Sequence, residues 1–220
     1  MTVTCSHYSL PFTVRILSTD MWVLDQVAPY FAALQLKPSD RVLDIGGYIG
    51  SFTVPASKLV QSVDVYEPDP DNYALLVENI RQNRCTNVRS HPSAVVGDRR
   101  PVVSLIVGAM STGHSVLTTA EDPGRLVAAT NIDDALAWPG ANVVKLDAEG
   151  VEVAIIAGIT DWSSIDRLVF EYHAAKLQDW DGQLWQQVFT ILRRVFPRIT
   201  REDSFLQRLR IVMCSKEAAG

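Results

Sequence analysis

The chain is short of cysteine, of positive charge and of long apolar runs. Its three cysteines, Cys5, Cys85 and Cys214, are odd in number, lie far apart and show no C-x-x-C spacing. That argues against a disulfide framework and against a zinc site. No apolar run reaches the roughly 20 residues that a membrane span needs. The first residues also lack the basic stretch and apolar core of a secretory signal. The expected compartment is the reducing cytoplasm, with no membrane partner. Lys and Arg total 20 against 25 Asp and Glu, for a net charge of −5 and a pI of about 5.3. This balance argues against nucleic acid as a partner, because holding phosphates needs a basic face; a local basic patch stays open. What the chain has in quantity is apolar side chains. They make up 47% of its 220 residues, at a mean hydropathy of +0.08, which suffices for a full core in one large domain.

The stretch Arg41-Val42-Leu43-Asp44-Ile45-Gly46-Gly47-Tyr48-Ile49-Gly50 reads as a short apolar strand, a glycine turn and the start of a helix. Gly46 and Gly47 let the backbone turn where a side chain would collide with the chain or with a ligand. A strand, glycine turn and helix N-terminus form a nucleotide-sized crevice at the carboxyl end of a parallel sheet. The dehydrogenase fingerprint G-x-G-x-x-G is missing. With its last glycine at Gly50 it would need glycine at Ile45. What stands here is D-x-G-x-x-x-G, Asp44 to Gly50, which resembles the first motif of S-adenosylmethionine-dependent methyltransferases.

Elsewhere the chain alternates strands and helices. A helix is predicted from Ser18-Thr19-Asp20 to about Leu36, with Tyr30 on its apolar side, and another from Tyr48 to Leu59. A second strand, Ser62 to Glu67, ends at Pro68, and Asp69-Pro70-Asp71 opens a helix through Asn83. One strand is expected within Asn87 to Val96 and another over Pro101 to Val107. Met110 to Glu121 reads as a loop, and Pro123 to Ala129 is ambiguous. Ile132 to Trp138 reads as a short helix, Asn142 to Leu146 as a strand, Gly150 to Gly158 as a helix, Arg167 to Tyr172 as a strand and Gln183 to Val195 as a helix. Ile199 to Ser215 suggests an antiparallel hairpin. The expectation is one doubly wound α/β domain. Residues 1–40 form an arm and helix, a lid over the active site through Tyr8, Pro11 and Phe12, and residues 41–220 form the catalytic domain.

The second signature is Lys145-Leu146-Asp147-Ala148-Glu149-Gly150-Val151-Glu152. Alternate strand residues share a face, so Lys145, Asp147 and Glu149 would point the same way; buried charges are costly unless they serve a site. Here the chain resembles the FkbM family of methyltransferases, which pairs D-I-G-x-x-I-G with a later K-x-D-x-E-G-x-E. Glu67-Pro68 and Ile132-Asp133-Asp134 also fit, and the resemblance spans about Val42 to His173. The family usually has Asn where this chain has Tyr48. The resemblance implies a class I methyltransferase fold with a mostly parallel seven-stranded sheet. It also implies methyl transfer from S-adenosylmethionine, most often to a hydroxyl of a small metabolite, natural product or sugar. It places the cofactor on Asp44, Gly46, Gly47, Tyr48, Gly50, Glu67 and Pro68. Glu67 would accept the ribose hydroxyls, Ser93 and Ala94 would flank the adenine, and Asp147 would sit near the sulfonium.

An alcohol acceptor needs a base, and a histidine with a near-neutral pKa suits the task. His173, ending a core strand, is the first candidate, and His114, on a Ser-Thr-Gly-His-Ser loop, the second; Asp147 would orient the base or the acceptor. No resident metal is expected. The rival arrangement gathers Asp147, Glu149, Glu171 and His173 around a divalent cation. Lys145 and Glu152 read as structural ion-pair members, and Trp162, Trp180 and Trp185 as core. The alternatives to a hydroxyl acceptor are RNA, a protein nitrogen, or a binding domain that has lost the chemistry.

Overall fold

The computed structural model describes residues 1–106, 115–117, 124–137, 140–174, 176–204 and 209–216. The chain opens with a hairpin, β1 (Thr2–His7) and β2 (Leu10–Arg15). Two short helices follow, α1 (Asp20–Asp25) and α2 (Ala28–Leu34). The single helix predicted here is broken because Pro29, in the first turn of α2, has no N–H to give to the carbonyl four residues back. Next come β3 (Arg41–Ile45), the glycine turn, the four-residue α3 (Thr53–Ala56), β4 (Ser62–Tyr66) and α4 (Pro70–Gln82). The helix predicted from Tyr48 to Leu59 shrinks to α3, since Gly50 holds a positive φ and Pro55 removes another helical donor. The start of α4 is set by its cap. Asp69 accepts from the backbone N of Asp71 (3.0 Å) and Asn72 (2.9 Å), and Pro70 opens the first turn.

One strand was expected within Asn87 to Val96; two are found, β5 (Val88–His91) and β6 (Ala94–Val96), in different sheets. Pro92 between them has no ladder donor, so the pairing stops there. Strands β7 (Val102–Ile106), β8 (Ser115–Leu117) and β9 (Arg125–Asn131) complete a four-stranded sheet in the order β6-β9-β7-β8. Of the ambiguous stretch Pro123 to Ala129, residues 125–129 are strand, and Pro123 lies outside the described residues. The stretch read as a loop contains β8. The rest of Met110 to Glu121, His114 included, lies outside the described residues. The chain continues through α5 (Ile132–Ala137), β10 (Val143–Leu146), α6 (Glu152–Gly158), β11 (Arg167–His173), α7 (Gln183–Val195), β12 (Arg198–Ser204) and β13 (Leu209–Ser215).

The seven-stranded sheet runs β12-β13-β11-β10-β3-β4-β5. Its β11, β10, β3, β4 and β5 are parallel, and β13 is antiparallel to both of its neighbours. The order reverses between β3 and β10, a topological switch point whose carboxyl edge opens a crevice.

Strand alternation divides the core into two faces. Leu43, Ile45, Val144, Leu146, Leu168 and Phe170 pack in one cluster with Ile155, Trp185 and Leu192 of the helices beyond. Val42, Val143 and Val169 point the other way and pack against Tyr30 and Leu34 of α2. Asp44, Lys145, Glu171 and His173 share parity with this second set. The charged side chains at the carboxyl edge thus lie on the face that α2 covers. Arg167 fastens α2 there by donating to the carbonyls of Leu34 (2.6 Å) and Gln35 (3.0 Å) while pairing with Asp40.

The hairpin packs on α4. Phe12 and Val14 are fully buried with Ile49, Val54 and Cys85, and Thr13 N donates to Asn79 Oδ1 at 2.7 Å. Trp185 is core and Trp162 packs at its edge, whereas Trp180 is 65% exposed. Among the described residues, no helix is long and apolar enough to cross a membrane.

Candidate active site

The glycine turn is fixed from three sides. Gly46 N and Gly47 N both donate to the Tyr66 carbonyl at 3.0 Å, tying the turn to the end of β4. Gly46 has φ +81°, and a β-carbon there would lie 1.8 Å from the Asp147 carbonyl oxygen. Only glycine therefore lets the turn after β3 approach the end of β10 so closely. Tyr48 N donates to Glu67 Oε2 at 2.8 Å, although Tyr48 itself holds a left-handed φ of +52°.

Asp44 lies beneath this turn, fully buried. Thr53 Oγ1 donates to its Oδ2 at 2.5 Å, and Lys145 Nζ is 3.2 Å from its Oδ1. Burial raises the Asp44 pKa, against the pull of Lys145 and Thr53. Lys145 Nζ also donates to the Gly46 carbonyl at 2.7 Å. The Asp44–Lys145 pair thus joins β3 to β10 and props the turn, as the ion-pair reading of Lys145 expected. Glu67, at the end of β4, is buried, and its Oε1 accepts from Asp69 N at 2.9 Å. Burial, opposed by its two backbone donors, pushes the Glu67 pKa up to about 7. Pro68 follows it, partly buried. Ser93 and Ala94 are buried at the break between β5 and β6, with the Ser93 hydroxyl 2.8 Å from Thr130 Oγ1.

A second group of side chains gathers past β10 and β11. His173 Nδ1 donates to Glu152 Oε1 at 2.8 Å. Glu152 is fully buried and also accepts from the backbone N of Ala148 (3.2 Å) and Gly150 (3.0 Å). His173 Nε2 faces Glu149 Oε2 at 3.2 Å, Glu171 Oε2 at 3.5 Å and Asp147 Oδ1 at 3.8 Å. Burial works against a charge on His173. The Glu152 hydrogen bond and the fields of Glu152, Asp147 and Glu149 outweigh it and hold the pKa up to about 9. The near-neutral histidine expected from sequence is therefore held toward the imidazolium at pH 7 by Glu152, Asp147 and Glu149. Lys176 pairs with Glu149 at the rim.

Tyr30 reaches this group from α2. Its buried hydroxyl donates to Glu171 and lies 3.4 Å from Asp147 Oδ2. Burial and the neighbouring Asp147 raise the Glu171 pKa. Sequence reasoning missed Tyr30 here, since a tyrosine on the apolar side of a helix reads as core. Asp147, Glu149 and His173 each offer one ligand atom within 4.8 Å of the others, a donor set of the kind that holds a cation.

The strand order, the glycine turn at the switch point and the acidic end of β4 together define a class I methyltransferase. The Methyltransferase FkbM domain matches residues 44–208, and the chain belongs to the FkbM family of methyltransferases. Its cofactor is S-adenosylmethionine. The hexuronic acid methyltransferase AglP of Haloferax volcanii is 27% identical over 177 residues, 77% of this chain and 72% of that protein. A 23S rRNA (uracil(1939)-C(5))-methyltransferase, RlmD of Xanthomonas euvesicatoria, is 35% identical over only 74 residues; the match takes in 34% of this chain and 17% of that enzyme's length. Among solved structures, a methyltransferase FkbM from Methylobacillus flagellatus superposes with a TM-score of 0.57 at 17% identity, covering 83% of this chain and 44% of that one. M. jannaschii TYW2, solved in complex with AdoMet, gives 0.54 at 14% identity over 97% of this chain and 84% of that one. At these identities the superpositions speak for the fold.

Proposed function

We propose that the chain methylates a hydroxyl of a small polyhydroxylated acceptor, a sugar or a related metabolite, and that it works in the cytoplasm. The observation that carries the reading is the His173–Glu152 pair, which turns Nε2 of a fixed imidazole toward the carboxyl edge beside Asp147. Glu152 sets the ring orientation through Nδ1, and Nε2, once deprotonated, takes the acceptor's proton. Asp147 and Tyr30 position the acceptor oxygen. S-adenosylmethionine supplies a methyl group already activated by a positive sulfur. The residues present fit this cofactor. Glu67 accepts two backbone donors and a side-chain bond from Asn72, which leaves one of its roughly four lone-pair sites for a ribose hydroxyl. Gly46, Gly47, Tyr48 and Gly50 would pass under the methionine part, above Asp44. Pro68, Ser93 and Ala94 would flank the base.

The likeness to a hexuronic acid methyltransferase over most of the chain supports a sugar-like acceptor. The short RlmD match points to RNA, but the net charge of −5 and the carboxylates around His173 oppose a phosphate backbone. Three unpaired thiols support a reducing compartment. The cover over the site belongs to residues 1–40, with Tyr30 of α2 as the part that reaches the carboxylates.

The test is transfer of labelled methyl from S-adenosylmethionine to a panel of uronic acids, sugars and hydroxylated metabolites, with and without chelator. Label in a hydroxyl ether at an unchanged rate under chelator is the expected result. Label only in RNA or protein would contradict the acceptor assignment. Activity lost to chelator and restored by magnesium would assign Asp147, Glu149 and His173 to a cation instead of to proton transfer.

A further inference from the structure

The N-terminal segment and the cofactor turn meet in a network centred on Asp20. This carboxylate, in the first turn of α1, is fully buried. Arg15 holds it. Arg15 Nε lies 3.0 Å from Oδ2, Nη2 lies 3.0 Å from Oδ1, and Arg15 N donates to Oδ2 at 2.8 Å. The same guanidinium donates to Asn72 Oδ1 at 2.8 Å, in the first turn of α4, and approaches the Tyr48 hydroxyl at 3.3 Å. The Tyr48 hydroxyl donates to Asp20 Oδ1 at 2.5 Å, and its ring centroid lies 5.6 Å from the guanidinium carbon.

Tyr48 is the residue of the turn that needs such a hold. Its left-handed φ of +52° is disfavoured for a bulky side chain. Yet that conformation aims its N–H at Glu67 Oε2. One residue on, the Ile49 carbonyl accepts from Asn79 Nδ2 at 2.8 Å, and the same nitrogen donates to the Thr13 carbonyl of the hairpin at 3.1 Å. Two successive residues of the turn are therefore held, the Tyr48 side chain by Arg15 of the hairpin and Asp20 of α1, and the Ile49 carbonyl by Asn79 of α4, which is itself bonded to the hairpin.

We propose that Arg15 and Asp20 are positioning residues for the cofactor: they hold Tyr48 so that the glycine turn and Glu67 are set for S-adenosylmethionine before it arrives. The inference rests on the reading that this turn and Glu67 hold the cofactor. Preorganisation removes an ordering cost from binding, so its loss shows in affinity while the chemical step at His173 is spared.

The experiment compares Kd for S-adenosylhomocysteine by calorimetry, kcat at saturating S-adenosylmethionine, and melting temperature. The variants are Tyr48→Phe, Arg15→Ala, Arg15→Lys, Gln82→Ala and Glu67→Gln in the full chain. Tyr48→Phe and Arg15→Ala should raise Kd by about 5–30-fold, with kcat of Arg15→Ala within about twofold, as for a lost preorganising contact. Arg15→Lys should recover part of the loss, since lysine pairs with Asp20 but cannot bridge to Asn72 and Tyr48 at once. Gln82→Ala removes contacts outside the Arg15–Asp20–Tyr48 network, the bond to the Pro11 carbonyl at 2.8 Å and the bond to Asn79 Oδ1 at 3.0 Å; Asn79 keeps its bonds to Thr13 and Ile49, and Kd should stay unchanged. Wild-type Kd in both Tyr48→Phe and Arg15→Ala, with Glu67→Gln weakened, would overturn the positioning role and leave the cofactor site standing. Equal losses in Gln82→Ala would overturn it in favour of general docking of the hairpin. Wild-type Kd in Glu67→Gln as well would show that the cofactor site itself is misplaced.

Discussion

His173→Ala should lower the methyl-transfer rate by about 10²–10⁴-fold, the range for removing a positioned general base. Affinity for S-adenosylmethionine should stay within about twofold, because His173 is not among the residues assigned to the nucleoside. The pH dependence follows from the charge. With a pKa of about 9, His173 is mostly imidazolium at neutral pH, and only the neutral ring can take a proton. The wild-type rate should therefore climb about tenfold per pH unit through the neutral range and level off near pH 9. The alanine variant should lack that limb. Glu152→Gln gives a second check. Without the carboxylate at Nδ1 the imidazole loses its largest source of positive-charge stabilisation, so the limb should move to lower pH. Steady-state rates of the three proteins from pH 6 to 10 decide it. A His173→Ala enzyme of wild-type rate, with the limb intact, would remove His173 from the chemistry.

Glu67→Gln should weaken cofactor binding by about 1–3 kcal/mol, the cost of losing charge-assisted hydrogen bonds and turning an amide N–H2 toward a backbone donor. The pH profile is the sharper signature. Glu67 has a pKa of about 7, raised above the usual carboxylate range by burial. A ribose hydroxyl donates to the anion, so binding must draw a proton off Glu67 below pH 7. Kd should fall about tenfold per unit from pH 5 to 7 and be flat above it, while the glutamine variant stays flat throughout. The fold carries the opposite sign. An unfolded glutamate loses its proton near pH 4.5 and the folded one near 7, so this group's contribution to stability is lost as pH rises between those values. Calorimetry across pH, paired with melting curves, separates the two effects. A pH-independent wild-type Kd would contradict the ribose assignment.

The parts of the site that sequence revealed are those written in local chemistry. The Gly46 turn, Glu67 at a strand end before proline, the Asp69-Pro70 cap and the Lys145 to Glu152 stretch each carry their signal within a few residues. So do β10, β11 and α7, whose periodicity matches the structure. The breaks at Pro29 and Pro92 were legible in principle, because proline forbids the predicted helix and strand to continue. Other features depend on partners that only the fold brings close. Asp20 looks like a cap until Arg15 and Tyr48 arrive. Tyr30 looks like core until β10 and β11 place Asp147 and Glu171 beneath it. The raised pKa of His173 comes mainly from Glu152, 21 residues away in sequence but 2.8 Å away across the sheet edge. The second sheet was legible only in β7, expected over Pro101 to Val107; β6 and β8 have three residues each, and β8 lies inside a stretch rich in Ser, Thr and Gly.

The most direct measurement is a crystal structure with S-adenosylhomocysteine bound. A ribose hydroxyl should lie within hydrogen-bond distance of Glu67, the methionine part should cross the Gly46 to Gly50 turn, and the sulfur should face Asp147 on the His173 side. A nucleoside bound elsewhere, with Glu67 holding only donors of the protein itself, would contradict the site.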